Sequence, residues 1–283
     1  MKRLLLVLGC CCLLLTVCQA QKKTSTAEFL PKGRFFKSLY LDPLEAQTYG
    51  SMALFWQGDE RQNLIYGPFA FGFYRSIVRW PTDTGGLEFG LDLGSYTQFE
   101  FTQNNGESFR HLLNSDFKIS LLVSYLYGDW AFRLRSYHIS SHWGDDFIIK
   151  NNITEFTENP VNYEQTDFTV AWQKRDFRPY AGVGMVIRPK TVRRRFSAQA
   201  GSYFSKSLNL ADNIRWVGGA DFKIMAQNDF HTNSKLATGA EFGKRWKNPV
   251  RILLEYYTGH LPYSVFEYRY VQWVGIGLYM DPI

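Results

Sequence analysis

The sequence predicts an all-β protein, an up-and-down antiparallel transmembrane β-barrel of about twelve strands that follows a cleaved signal peptide. Three observations predict it. Segments of about ten residues alternate apolar with polar or small side chains and are separated by turn residues. Aromatic residues make up 17% of the chain, yet its mean hydropathy is mildly polar. After Ala20 there is no run of ~18 apolar residues that could cross a bilayer as a helix. A chain rich in aromatics but polar on average fits strands that give one face to lipid and the other to an enclosed interior.

Residues 1–20 read as an export signal. Lys2 and Arg3 form the basic start, Leu4 to Val17 the apolar stretch, and Cys18-Gln19-Ala20 the cleavage site before Gln21. Leu15-Thr16-Val17-Cys18 also approaches a lipid-attachment box, with Val17 where a small residue is wanted. All four cysteines (Cys10, Cys11, Cys12 and Cys18) lie in this stretch, so the mature chain offers no disulfide, thiolate metal site or cysteine nucleophile. Lys2 and Arg3 account for two of the net charge of +6, leaving +4. That excess singles out no partner, and nothing points to nucleic acid. Residues 21–46 are expected to be a periplasmic lead-in, polar at Lys22-Lys23-Thr24-Ser25-Thr26 and broken by Pro31 and Pro43. The barrel is expected over residues 47–283.

Period-two alternation assigns the faces. Leu87, Phe89, Leu91 and Leu93 share one face, opposite Glu88, Gly90, Asp92 and Gly94. Phe117, Ile119, Leu121, Val123 and Tyr125 oppose Lys118, Ser120, Leu122 and Ser124. Trp130, Phe132 and Leu134 oppose Arg133 and Arg135, and Phe168, Val170 and Trp172 oppose Asp167, Thr169 and Gln173. Trp216, Ala220, Phe222 and Ile224 oppose Arg215, Asp221 and Lys223. Val250, Ile252, Leu254 and Tyr256 oppose Arg251, Glu255 and Tyr257, and Val274, Ile276, Leu278 and Met280 oppose Gly275, Gly277 and Tyr279. Less regular segments near 51–57, 68–80, 180–187, 195–204 and 236–243 complete the count. A soluble β-sandwich also alternates, but its polar face meets water and should be rich in Lys, Glu and Thr. Here that face carries Gly, Tyr, Ser and isolated charges, as a crowded barrel interior would. Trp56, Trp80, Trp130, Trp143, Trp172, Trp246 and Tyr268 fall at strand ends, where interface girdles form.

Short turns are expected at 81–85, 128–129, 174–178 and 245–249 on the periplasmic side. Loops are expected at 57–63, 103–114, 142–162, 227–233 and 258–267 on the outside. The presumed interior sets Arg133, Arg135, Lys223 and Arg251 against Glu88, Asp92, Asp167, Asp221 and Glu241. Because enclosed charges must be paired, a filled interior is expected rather than an open pore.

The stretch richest in chemistry runs from Arg133 to Phe147 and contains Tyr137-His138-Ile139-Ser140-Ser141-His142-Trp143-Gly144-Asp145-Asp146. It resembles a strand-end pattern of the outer-membrane family named domain of unknown function 1207. Asn114-Ser115-Asp116-Phe117, Gly182-Val183-Gly184, Gly219-Ala220-Asp221 and Leu253-Leu254-Glu255-Tyr256-Tyr257-Thr258-Gly259 agree in order, so the resemblance spans about Pro43 to Tyr279. It implies an integral outer-membrane barrel that meets outer-membrane lipid and lipopolysaccharide, and the barrel-assembly machinery during biogenesis. The family has no activity to lend, and the sequence names no cofactor.

His138-Ile139-Ser140 places histidine and serine on one strand face, toward lipid and near the external end. This is similar to outer-membrane phospholipase A and to the lipid A deacylase barrels, which set a His-x-Ser pair on the outer wall. The likeness implies Ser140 as nucleophile, His138 as base and Asn152 (or Asn151) as the orienting third group. The bland alternative is a polar pair meeting headgroups and water. His142, Asp145 and Asp146, with His138 or Glu255, could instead form a nitrogen and oxygen metal cluster, although aspartates beside Gly144 also shape turns. His231 and His260 read as isolated loop histidines, and Arg193-Arg194-Arg195 as a solvated run or a clamp for lipopolysaccharide phosphates. Three functions stay open: a structural or lipid-interacting surface barrel, an outer-leaflet lipid hydrolase, and a narrow channel or transporter.

Overall fold

The computed structural model describes residues 26–154, 161–174, 176–189, 193–208, 213–243, 249–262 and 265–281. The expected signal peptide with its cysteines, and Trp246 of the expected girdle, lie outside the described residues. A two-residue strand β1 (Glu28–Phe29) precedes the barrel strands β2 (Thr48–Gln57), β3 (Glu60–Thr82), β4 (Gly85–Asn104), β5 (Glu107–Tyr127), β6 (Trp130–Trp143) and β7 (Asn162–Trp172). They continue as β8 (Phe177–Pro189), β9 (Phe196–Ser207), β10 (Ile214–Met225), β11 (Asn233–Phe242), β12 (Val250–His260) and β13 (Tyr270–Met280). A helix α1 (Asp145–Lys150) lies between β6 and β7.

Every strand from β2 to β13 pairs antiparallel with the next, and β13 pairs with β2 from Val271↔Gln57 to Met280↔Thr48. The sheet therefore closes as a barrel of twelve strands, β2–β13, with no free edge along that seam. The alternation read from the sequence is the alternation of burial. On β13, Val274, Ile276 and Leu278 are exposed outward, while Trp273 and Tyr279 are buried inside. On β5, Phe117, Ile119 and Leu121 face out and Lys118, Ser120 and Leu122 face in.

The chain enters β2 and leaves β13 at one end, here called lower. Two of the loops expected at the upper end are hairpins instead. The ladder runs on to Gln57↔Glu60 and to Asn104↔Glu107, which leaves turns of two residues, 58–59 and 105–106. Asn105 and Gly106 both have positive φ (50° and 83°). This is the Asn-Gly hairpin geometry that matches strand twist, a local signal stronger than the polarity that suggested loops. As a result β3, β4 and β5 have 23, 20 and 21 residues, against 10 to 14 in the other barrel strands.

The largest departure concerns residues 35–47. They do not stand outside the barrel as a lead-in but lie inside it as a plug. β1 pairs with Arg79 and Val78 on the lower part of β3, which β2 is too short to reach. Arg75 then donates to Leu30 O, and Arg79 donates to Lys32 O and Gly33 O as the chain turns inward. Phe36, Leu39, Tyr40, Leu41 and Leu44 are buried, as are Asp42 and Glu45.

The plug adds its own anions to those of the inner wall. Glu45 accepts from Arg133 at 2.8 and 3.0 Å and from Arg135 at 3.2 Å. Asp42 accepts from Lys223 at 2.8 Å, and Arg135 reaches Asp167 at 2.9 Å. Leu44 O accepts from Tyr96 at 2.9 Å and from Lys118, and Ser38 O accepts from Arg178. Arg251 stacks 3.7 Å from the Tyr40 ring centroid. Gly72 is where the plug touches the wall, since a Cβ there would lie 2.2 Å from Gln47 N. Above the plug the lumen is filled by Phe55, Tyr66, Tyr257 and Trp273 and is capped by Phe147 and Phe266, whose rings meet at 4.8 Å. The interior is filled, as the mixed charges implied, and part of the filling is the chain's own N-terminal segment.

Candidate functional site

Strand β6 divides its polar residues between the two faces. Arg133, Arg135, Tyr137 and Ser141 point inward and are buried. Ser136, His138, Ser140 and His142 alternate with them and point outward. Register with β7 sets Ser136 opposite Thr166, His138 opposite Glu164 and Ser140 opposite Asn162. Two of these pairs bond: Ser136 Oγ and Thr166 Oγ1 at 2.9 Å, and His138 Nδ1 and Glu164 Oε1 at 3.1 Å. The other side of β6 is apolar, with Ile119 opposite His138 and Phe117 opposite Ser140. Phe71, Phe73, Leu93, Phe117 and Ile119 border a groove of about 640 Å³ that reaches His138 and Ser140.

The sequence-predicted residues divide accordingly. His138 and Ser140 share the outer face at the upper end of the wall, as expected, but no hydrogen bond joins them. His138 is held by Glu164, with its side chain 40% exposed and that of Glu164 29% exposed. Asn152 does not join them. It sits in an exposed turn after α1 with φ of 49°, and Asn151 is turned back onto Phe147 O at 2.8 Å. The polar group that meets His138 is Glu164, which sequence reasoning missed because the offset along the chain ran through a loop while the geometry depends on register across the sheet. Glu164 Oε2 and Asn162 Oδ1 are buried without a hydrogen-bond partner.

The three metal candidates have separate roles. Asp146 accepts from Leu112 N at 2.8 Å, beside the register shift between β4 and β5. Asp145 is exposed, and the His142 ring lies 5.9 Å from that of Phe117. Among the described residues no group of three or more His, Cys, Asp or Glu converges as a metal site. The arginine run is not uniformly solvated. Arg193 is paired with Glu267 at 2.5 and 2.8 Å and stacks 3.9 Å from the Tyr163 ring, and Arg194 pairs with Asp229. The two loop histidines meet each other, their rings 5.7 Å apart.

A closed antiparallel sheet with an apolar outer band and a filled polar interior has the fold of the outer-membrane barrels. Within that class, the chain belongs to the family described as Protein of unknown function (DUF1207), which matches residues 11–281. Among solved structures it is similar to the outer membrane phospholipase dimer of Salmonella typhi with bound calcium. That likeness has a TM-score of 0.53 and 11% identity, and covers 89% of this chain and 95% of that one. It is similar to an active-site mutant of outer membrane phospholipase A from Escherichia coli at a TM-score of 0.55, with 11% identity and the same coverage. At that identity the likeness is one of fold. Among curated proteins nothing matches.

Proposed function

We propose that this protein is an integral barrel of the Gram-negative outer membrane, exported by residues 1–20, that works on its outer wall by engaging a membrane lipid. The observation that carries the reading is the outward polar set His138, Ser140, Glu164 and Asn162 beside an apolar groove. In a wall facing hydrocarbon, polar groups without partners are costly. Here they cluster where a lipid could lay an acyl chain along Phe71, Phe73 and Leu93 and present its polar linkage to Ser140. The filled lumen supports no passage through the barrel. Native mass spectrometry of detergent-purified protein should show a retained phospholipid that is lost in a His138→Ala, Glu164→Gln double variant. Equal retention by that variant would remove this site from the reading.

The His138–Glu164 contact also favours a second reading, ester hydrolysis. With Nδ1 held by a carboxylate, Nε2 is free to take the Ser140 proton, the polarity of a serine triad. Ser140 Oγ would bond to the acyl carbon as the alcohol leaves with the proton from His138, and water would then release the acid and restore the serine. A phospholipid ester assayed in mixed micelles should be cleaved by the protein, and Ser140→Ala should abolish the rate. Glu164→Gln should lower it by about 10²-fold or more. Absence of cleavage under conditions where lipid is retained leaves the binding reading alone.

A further inference from the structure

A second groove crosses the outer wall on β2–β5 and β13, away from His138. Two open depressions of about 540 and 440 Å³ lie side by side along the wall and share Met52, Phe101 and Arg110. Each lies in the size range of small-molecule sites. The lower part is apolar, bounded by Ile276 and Leu278 and floored by residues with little or no side chain at Gly50, Gly67 and Gly277. A Cβ at Gly67 would lie 2.6 Å from the Phe101 ring, so a side chain there would push that ring out of its place in the groove wall. The upper part changes character and is lined by Arg61 and Arg110 with Asn63, Gln103 and Ser108. Glu60 and Glu107, at the neighbouring hairpin tips, do not line it.

The two arginines are the informative residues. Most interior cations of this barrel are tied to carboxylates or carbonyls. Arg61 has no ion-pair or hydrogen-bond partner among the described residues, and Arg110 only lies over the Phe99 ring at 5.5 Å. They stand on β3 and β5, with β4 between, and the ladder sets Arg61 about four residues further along than Arg110, so strand spacing and rise together separate their backbones by roughly 16 Å. Unpaired guanidiniums above an apolar trough match an anionic headgroup above acyl chains, and guanidinium is well suited to phosphate. Two cations that far apart match a broad headgroup with more than one phosphate better than a single phosphodiester.

We infer that this groove is a binding site for a multiply acylated, phosphate-bearing glycolipid, its phosphates on Arg61 and Arg110 and an acyl chain along Met52, Phe101 and Ile276. The site is separate from His138 and Ser140 and does not depend on the function proposed for them.

The test uses the full chain, folded in detergent, with bis-phosphorylated lipid A as probe and its dephosphorylated form and phosphatidylglycerol as comparators, read by native mass spectrometry. Lipid A should be retained at least tenfold more tightly than either comparator. Arg61→Gln with Arg110→Gln should remove that preference, and Met52→Trp, which fills the trough without changing charge, should weaken retention of both glycolipids. Leu236→Ala, on the outer face of β11 and outside both grooves, should leave the preference unchanged. Heat-modifiable gel mobility confirms that each variant is folded. Equal retention of the dephosphorylated form, equal retention of phosphatidylglycerol, or full retention by the double arginine variant would each overturn the assignment.

Discussion

The two faces of β6 offer a controlled contrast within fourteen residues. Inward, Arg133 and Arg135 are buried and tied to Glu45 and Asp167. Outward, His138 holds one contact to Glu164 and Ser140 holds none. Both faces put polar atoms where water is scarce, but only on the inner face are the cations matched by carboxylates, with Arg133 Nε and Nη2 and Arg135 Nε still without hydrogen-bond partners. Enclosed ion pairs stabilise a particular arrangement of this chain, so the inner polar residues are accounted for by the fold. The outer ones are not, and that surplus marks them as candidates for work on another molecule.

The contrast is tested most severely at Glu45. Glu45→Ala leaves Arg133 and Arg135 without their shared carboxylate and should cost roughly 3–5 kcal/mol, read as a lower urea midpoint for the folded barrel. Glu45→Met combined with Arg133→Met should recover part of that loss, because an apolar pair of similar volume avoids the stranded charge. If Glu45→Ala is as stable as the parent, the plug does not hold the lumen as described.

An intermediate effect is expected at Gly72, where the plug meets the wall. Gly72→Ala forces a Cβ to within 2.2 Å of Gln47 N and should cost about 1–3 kcal/mol as the plug shifts. Faster proteolysis between residues 30 and 47 would report that shift, and an unchanged cleavage rate would argue against the close approach. The smallest effect belongs outside. Ser140→Ala should alter stability by no more than about 0.5 kcal/mol in the same urea assay. A loss as large as that at Glu45 would make the outer set structural and cancel the contrast.

The walls were legible in the sequence because strand faces follow from period two, and each outward row named from alternation faces outward. The plug was not. Residues 35–47 have no period, and the polar run before them with the breaks at Pro31 and Pro43 suggested a solvated segment. A usable signal was nevertheless present. Phe36, Leu39, Tyr40, Leu41 and Leu44 are too apolar for a free lead-in, and the inward cations on β6 and β10 pair with Glu45 and Asp42. At the candidate site, His138 and Ser140 were visible as neighbours on one strand, whereas Glu164 depends on the register of β6 with β7. No spacing along the chain encodes that register when a loop intervenes.

The shortness of β2 bears on how the molecule is assembled. The plug runs directly into Thr48, and β2 zips to β13 over the ladder from Thr48 to Gln57. The plug's two ends, at β1 and at Thr48, both lie at the lower end of the barrel, so the segment is a loop folded into the lumen from below. A nascent sheet with its first and last strands apart would leave Asp42 and Glu45 in contact with solvent, and it is the cylinder that shields them.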